Sequence, residues 1–184
     1  MAAPILAIAR AFLQERCDSL VKDVRHCVLH DRSTPDWPAP FPALLYCFST
    51  VDLLGALYAG NATRQAQTAS QARQYMLDVM GYPALQVELL QLQFRHKLVH
   101  LAQPQPRTQH GGVTYVWGYH HNDPSSHLHI KPGPGGVSEF WISIMTLAED
   151  IQRSVFNPGG YLERLHNEPP LQANFQKAHN EMTT

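Results

Sequence analysis

The sequence predicts a mainly α protein, an up-and-down bundle of four to five helices with a small β-hairpin insertion. Three observations lead there. Apolar residues recur at three- and four-residue steps over most of the chain, and Pro and Gly clusters cut that periodicity into helix-length pieces. The β-branched and aromatic run is confined to one region, about 112–131. At 184 residues and 44% hydrophobic content the chain buries one good core, so residues 1–184 read as a single domain.

The first helix is expected from Pro4 to about Asp31. Ile5, Ile8, Phe12, Leu13, Leu20, Val24 and Val28 form its apolar side, and Glu15, Asp18, Lys22 and Arg25 lie on a solvated one. Three prolines around Trp37 then break helix between Arg32 and Pro40, a connection that lays one aromatic on the bundle. A second helix, about Pro42 to Ala59, is apolar around nearly its whole circumference and therefore central, ending at Gly60-Asn61. Inside it sits Asp52, which needs a partner because an unpaired buried charge costs several kcal/mol. Asp52 pairs with Arg95, hydrogen-bonds a nearby histidine, or caps locally or reaches solvent at a bundle edge; the sequence leaves these open.

Thr68-Ala69-Ser70-Gln71 has the form of a capping box opening a shorter helix to about Met80. Pro83 then starts a helix that runs through Leu101. It is apolar on two sides: Val87, Leu90, Phe94, Leu98 and Leu101 on one stripe, and Leu85, Leu89, Leu92, His96 and Val99 on the other. Both stripes need cover, one from the chain's own helices and the other from a further layer or a second copy. Arg95, His96 and His100 border the second stripe. A permanent cation beside an imidazole suits a phosphodiester, since the guanidinium forks onto phosphate oxygens while the histidine moves a proton. The plainer reading makes Arg95 and Lys97 solvated cations near a helix end, where they suit the dipole.

Arg95-His96-Lys97-Leu98-Val99-His100 resembles the R-polar-x-x-x-H signature of the HEPN superfamily. The flanking Leu89–Phe94 and Leu101–Pro104, and upstream Ser49–Tyr58, extend the likeness over about residues 41–104. The resemblance implies a metal-independent endoribonuclease of the toxin–antitoxin or phage-defence kind, working at a homodimer interface without a cofactor. It implies Arg95, His100 and His96 as catalytic residues, with Asp52 behind them. Many such proteins have lost catalysis, so a nucleotide-, RNA- or protein-binding module, with an antitoxin or defence-system partner, is the alternative.

After Pro104 the pattern changes. Gln103–Arg107 is an expected spacer, Val113–Tyr119 a strand, and His127–Lys131 its return strand, the two forming the hairpin insertion. Lys97, His120 and His127 are candidate substrate contacts, with Trp117 or Tyr119 available to stack on a base. His127 and His129 with His120 or His121 also invite a metal reading, but the spacing matches no familiar site and no metal is assigned. Pro132–Gly136 is a loop lacking the Lys of a phosphate cradle. A last long helix is expected from Ser138 to Phe156, with Phe140, Ile144, Leu147, Ile151 and Val155 inward. A short helical turn at Tyr161–Asn167 and a weakly ordered tail, about 168–184, with helix around Ala173 to His179 as the alternative, come last.

A net charge of −1 and a pI near 6.8 provide no chain-wide field for nucleic acid. Cys17, Cys27 and Cys47 are odd in number and widely spaced, reading as buried thiols of a reducing compartment. No run reads as a membrane span, so the expected location is cytoplasmic.

Overall fold

The computed structural model describes residues 2–29, 39–63, 65–101 and 103–183, and only the main chain of 2–4, 65 and 99–101. Trp37 and the expected first-helix end at Asp31 lie outside the described residues. The architecture is α+β, which corrects the expected mainly α bundle. In chain order come α1 (Ala2–Val28), α2 (Pro40–Ala59), α3 (Thr68–Asp78), α4 (Ala84–Leu89), a π-helical turn (Leu90–Arg95) and α5 (His96–Leu101). Next are β1 (Arg107–His110), β2 (Val113–His120), β3 (His129–Pro132), β4 (Ser138–Ser143), α6 (Ile144–Phe156), α7 (Tyr161–Asn167) and α8 (Pro169–Thr183).

Helix α2 is the hub, packed by α1, α3, α6 and α8. Pro40 stands in its first turn, where a missing N–H is harmless, and Gly60 closes it at φ 74°. Its Gly55 lets α3 approach, because a Cβ there would sit 2.7 Å from main-chain atoms of Gln71 and Ala72. By length and composition α2 is apolar enough to cross a membrane, with a mean hydropathy of 1.4, contrary to the sequence reading. It is the core helix of this fold, and 56% of its apolar window is buried by its neighbours.

The sheet is four-stranded, in the order β1-β2-β4-β3. Strands β1 and β2 form a tight antiparallel hairpin through Gly111 and Gly112, whose φ values of 57° and 78° a two-residue turn of this hand requires. Strand β4 runs parallel to β2 and antiparallel to β3, and so slots between them. The expected pairing of Val113–Tyr119 with His127–Lys131 therefore does not form. The central place goes to the more apolar strand, with Phe140 and Ile142 both at 0% exposure. Ser138–Ser143 is this strand and not the start of the last helix. Phe140 and Ile142 alternate with Glu139 and Trp141 at period two, and the helix begins only at Ile144. Arg107, expected in a spacer, opens β1.

The tail, expected to be weakly ordered with helix as an option around Ala173 to His179, is helix α8 from Pro169 to Thr183. Leu171, Phe175 and Ala178 are buried along one of its stripes. Asn174 donates to the Tyr58 carbonyl at 2.9 Å, and Glu181 accepts from the Ala62 amide at 2.7 Å, tying α8 to the end of α2. At α3 the capping box is not made: Gln67 is the cap residue without a side-chain bond, and the Ser70 hydroxyl donates to the Gln67 carbonyl.

Candidate active site

The segment Leu90–Arg95 winds as a π-helix, with the His96 amide bonded to the Gln91 carbonyl five residues back. Strand β2 and the segment leading into β1 pin this turn. The Gln105 amide donates to the Gln93 carbonyl at 2.6 Å, and Gln93 Nε2 donates to the Tyr115 carbonyl at 3.0 Å. Phe94 locks it from within, its ring 6.4 Å from Phe48, 5.9 Å from Trp117 and 6.2 Å from Phe140. Gln91 Nε2 and Gln93 Oε1 are buried without a hydrogen-bond partner, at a cost of about 1–3 kcal/mol each. Widened turns and unsatisfied polar atoms both concentrate at working sites.

The π turn also rearranges the expected stripes. One extra residue in a turn rotates the succeeding side chains by about 100° relative to a regular helix. Leu89, Leu90, Gln93 and Phe94 are buried, whereas Leu92 is 41% exposed and His96 is exposed. The second stripe is thus split, with Leu89 in the core and Leu92 and His96 facing outward.

Arg95 leaves the end of this turn toward α2. Its Nε donates to Asp52 Oδ1 at 2.7 Å and its Nη2 to Oδ2 at 2.9 Å, a fork-on-fork pair. The side chains are only 12% and 18% exposed. Burial pushes the Asp52 carboxyl above its ordinary value, and the hydrogen bonds and charge of Arg95 draw it part of the way back. Lys97 is half-buried on the next turn. His100 lies in α5 by its main chain, and its side chain is outside the described residues. The structure therefore brings Arg95 and Asp52 together, with His96 exposed beside them.

The hairpin histidines go elsewhere. His120 stacks on Trp141 with ring centroids 4.8 Å apart, and His121 stacks on Tyr119 at 5.8 Å. His129 is exposed at the start of β3, and His127 lies outside that strand because Leu128, at φ 57°, breaks the alternation expected to put both on one face. Among the described residues no group of three His, Cys, Asp or Glu side chains is gathered to hold a metal. Trp117 and Tyr119, expected as base-stacking residues, pack instead around Phe41, at 6.0 and 6.1 Å.

His127 belongs to a second cluster that sequence reasoning missed. The Ser143 amide donates to its Nδ1 at 3.2 Å, which puts the proton of the neutral ring on Nε2. That nitrogen lies 3.0 Å from Tyr82 Oη and 3.3 Å from Asp150 Oδ2, and Tyr82 donates to the same carboxylate oxygen at 2.7 Å. Arg153 pairs with the other oxygen. Burial alone would raise the Asp150 carboxyl, but the bonds from His127, Tyr82 and Arg153 outweigh it and hold it at about 2. The Tyr82 hydroxyl is pushed well above its ordinary value, first by burial and then by Asp150. With each of these polar atoms bonded to another, the cluster ties the β2–β3 connection to α6 and to the turn before α4. No spacing rule flags residues so far apart in sequence.

These features define an α+β protein with an Arg–Asp pair mounted on a sheet-pinned π turn. No protein-family model, curated protein or solved structure matches the chain.

Proposed function

We propose that the chain is a metal-independent endoribonuclease of HEPN type whose working residues are Arg95, His96 and His100. The observation that carries this reading is the forked Arg95–Asp52 pair on the π turn. Asp52 fixes the guanidinium plane and accepts two of its N–H groups, so the remaining donors have one orientation to offer a phosphate. Asp52 is a positioning residue. Leu45, seven residues before Asp52 on the same helical stripe, is 36% exposed, and Leu92, three before Arg95, is 41% exposed. Exposed apolar side chains thus lie on both elements that carry the pair, which suits a second copy docking on them.

In the reaction, His100 of one copy takes the proton of a ribose 2′-hydroxyl. The oxygen attacks the adjacent phosphorus, the bond to the 5′-oxygen breaks, and His100 of the second copy gives that oxygen its proton. Arg95 stabilises the charge of the pentavalent phosphorane, and His96 orients the phosphate. The products are a 2′,3′-cyclic phosphate and a 5′-hydroxyl. The free thiols Cys17, Cys27 and Cys47 fit a cytoplasmic setting.

A second reading, a non-catalytic RNA- or protein-binding module, is favoured by one feature: Asp52 neutralises the charge Arg95 would present to phosphate. Incubation with labelled RNA in EDTA separates the two. Cleavage by the wild type, abolished in Arg95→Ala and His100→Ala, supports the nuclease. Bound but uncut RNA supports the module.

A further inference from the structure

The two faces of the sheet are unlike. One carries Trp117, Tyr119, Phe140 and Ile142 toward the helices. On the other, the register aligns Arg107, Val116, Glu139 and Lys131 in one cross-strand row, and Gly118, Trp141 and His129 in the next. His120 lies beyond Gly118 on the same face. On this side Val116, Gly118, Glu139 and Trp141 are half-buried, and Arg107, His129 and Lys131 are exposed.

Trp141 organises the face. Its indole lies flat across β2, and a Cβ on Gly118 would come within 2.6–2.7 Å of three indole atoms, so only glycine fits beneath it. Nε1 of the indole donates to Glu139 at 2.9 Å, which fixes the ring's rotation. His120 stacks on it at 26° between planes, and Lys131 Nζ stands 4.4 Å from the ring centroid. Lys131 is 46% exposed, and Arg107 and His129 are exposed. The only carboxylate of these two rows, Glu139, is already engaged by Lys131 at 3.4 Å and by the indole. The surface therefore carries a pre-oriented, half-exposed His120–Trp141 stack, with Arg107 and Lys131 on the two edge strands.

We propose that this face binds single-stranded RNA, with a base stacking on the His120 ring that Trp141 backs and phosphates meeting Lys131 and Arg107. The choice of ligand comes from the chemistry. Bases have apolar faces and phosphates are anionic, which matches rings edged by cations, and the bases of a duplex are not open to such a surface. The inference deepens the nuclease reading, on which it rests, by naming the form of its substrate. It also offers a physical link, since β1 begins six residues after α5 ends and the π turn bonds to the same sheet.

The test uses the full chain and a labelled 2′-O-methyl oligouridine, which lacks the attacking hydroxyl, so that binding is read apart from cleavage. Anisotropy titration should show binding that Trp141→Leu weakens by about tenfold, in keeping with the loss of one stacked base. Arg107→Gln with Lys131→Gln, both at exposed positions, should also weaken it. The slope of log K against log salt should fall by about 1.4, roughly 0.7 for each lost phosphate contact. Circular dichroism checks that each variant is folded. The proposal is overturned by unchanged affinity in both variants, by a duplex of equal length binding as well, by polyglutamate competing as effectively as RNA, or by no binding. A wild type that cuts RNA while both variants bind normally keeps the nuclease and loses this face.

Discussion

Replacing Asp150 by Asn should remove one pH-dependent contribution to stability. The side chain keeps its shape and still accepts from Tyr82, but it loses the charge that holds His127 and Arg153. In the folded chain the Asp150 carboxyl sits at about 2, against an ordinary value of 3.8. A folded-state value below the unfolded one stabilises the protein when the group is ionised. The contribution is complete above the ordinary value and disappears as pH falls toward 2. The size of the shift corresponds to about 2 kcal/mol at neutral pH, for a side chain only 23% exposed. Urea denaturation of wild type and Asp150→Asn at a series of pH values measures it. The variant should be less stable by about 2 kcal/mol at pH 7, or roughly 4–8 °C in Tm for a chain of this size. The two curves should converge near pH 2. A difference that is absent at pH 7, or constant down to pH 2, would refute the reasoning.

Other perturbations read different parts of the molecule. Asp52→Ala leaves a guanidinium 12% exposed without its partner and should cost about 3 kcal/mol in denaturant titrations; a double-mutant cycle with Arg95→Ala should recover a coupling of about 1–3 kcal/mol. Gly55→Ala gains helix propensity yet drives a methyl group into the α3 main chain, so it should lower stability by about 1–3 kcal/mol, and a higher Tm would contradict the close approach. Phe175→Ala should cost about 3–5 kcal/mol in a thermal melt, because α8 contributes that ring to the core at 0% exposure; an unchanged melt would mean an undocked tail.

What could be read from the sequence depended on whether the signal was local. A carboxylate inside a helix apolar on all sides demands a partner, and Arg95 was one of the few candidates, so the Asp52–Arg95 pairing was legible as an option. The expected core face of the last helix named buried residues correctly and still placed Phe140 in the wrong element. Its spacing to Ile144 fits a helix, and the period-two alternation of a six-residue strand is too short to outweigh that continuity. The sheet order was hidden for another reason: the strand that wins the centre is chosen by burial against Phe94, which is distant in sequence. The π turn left no mark that periodicity detects, and from it onward the stripe departs from a regular helix, with Leu89 buried before it and Leu92 exposed within it. His127 looked like a surface ligand because its chain neighbours are polar, whereas Tyr82, Ser143 and Asp150 come to it through the fold.

The central claim, that Arg95 held by Asp52 serves RNA chemistry, is tested most directly by the ends of RNA incubated with the purified chain in EDTA. The account predicts 2′,3′-cyclic phosphate and 5′-hydroxyl termini from the wild type, and a lower kcat with little change in KM for Asp52→Asn. Intact RNA with the wild type, or termini of another chemistry, would contradict it.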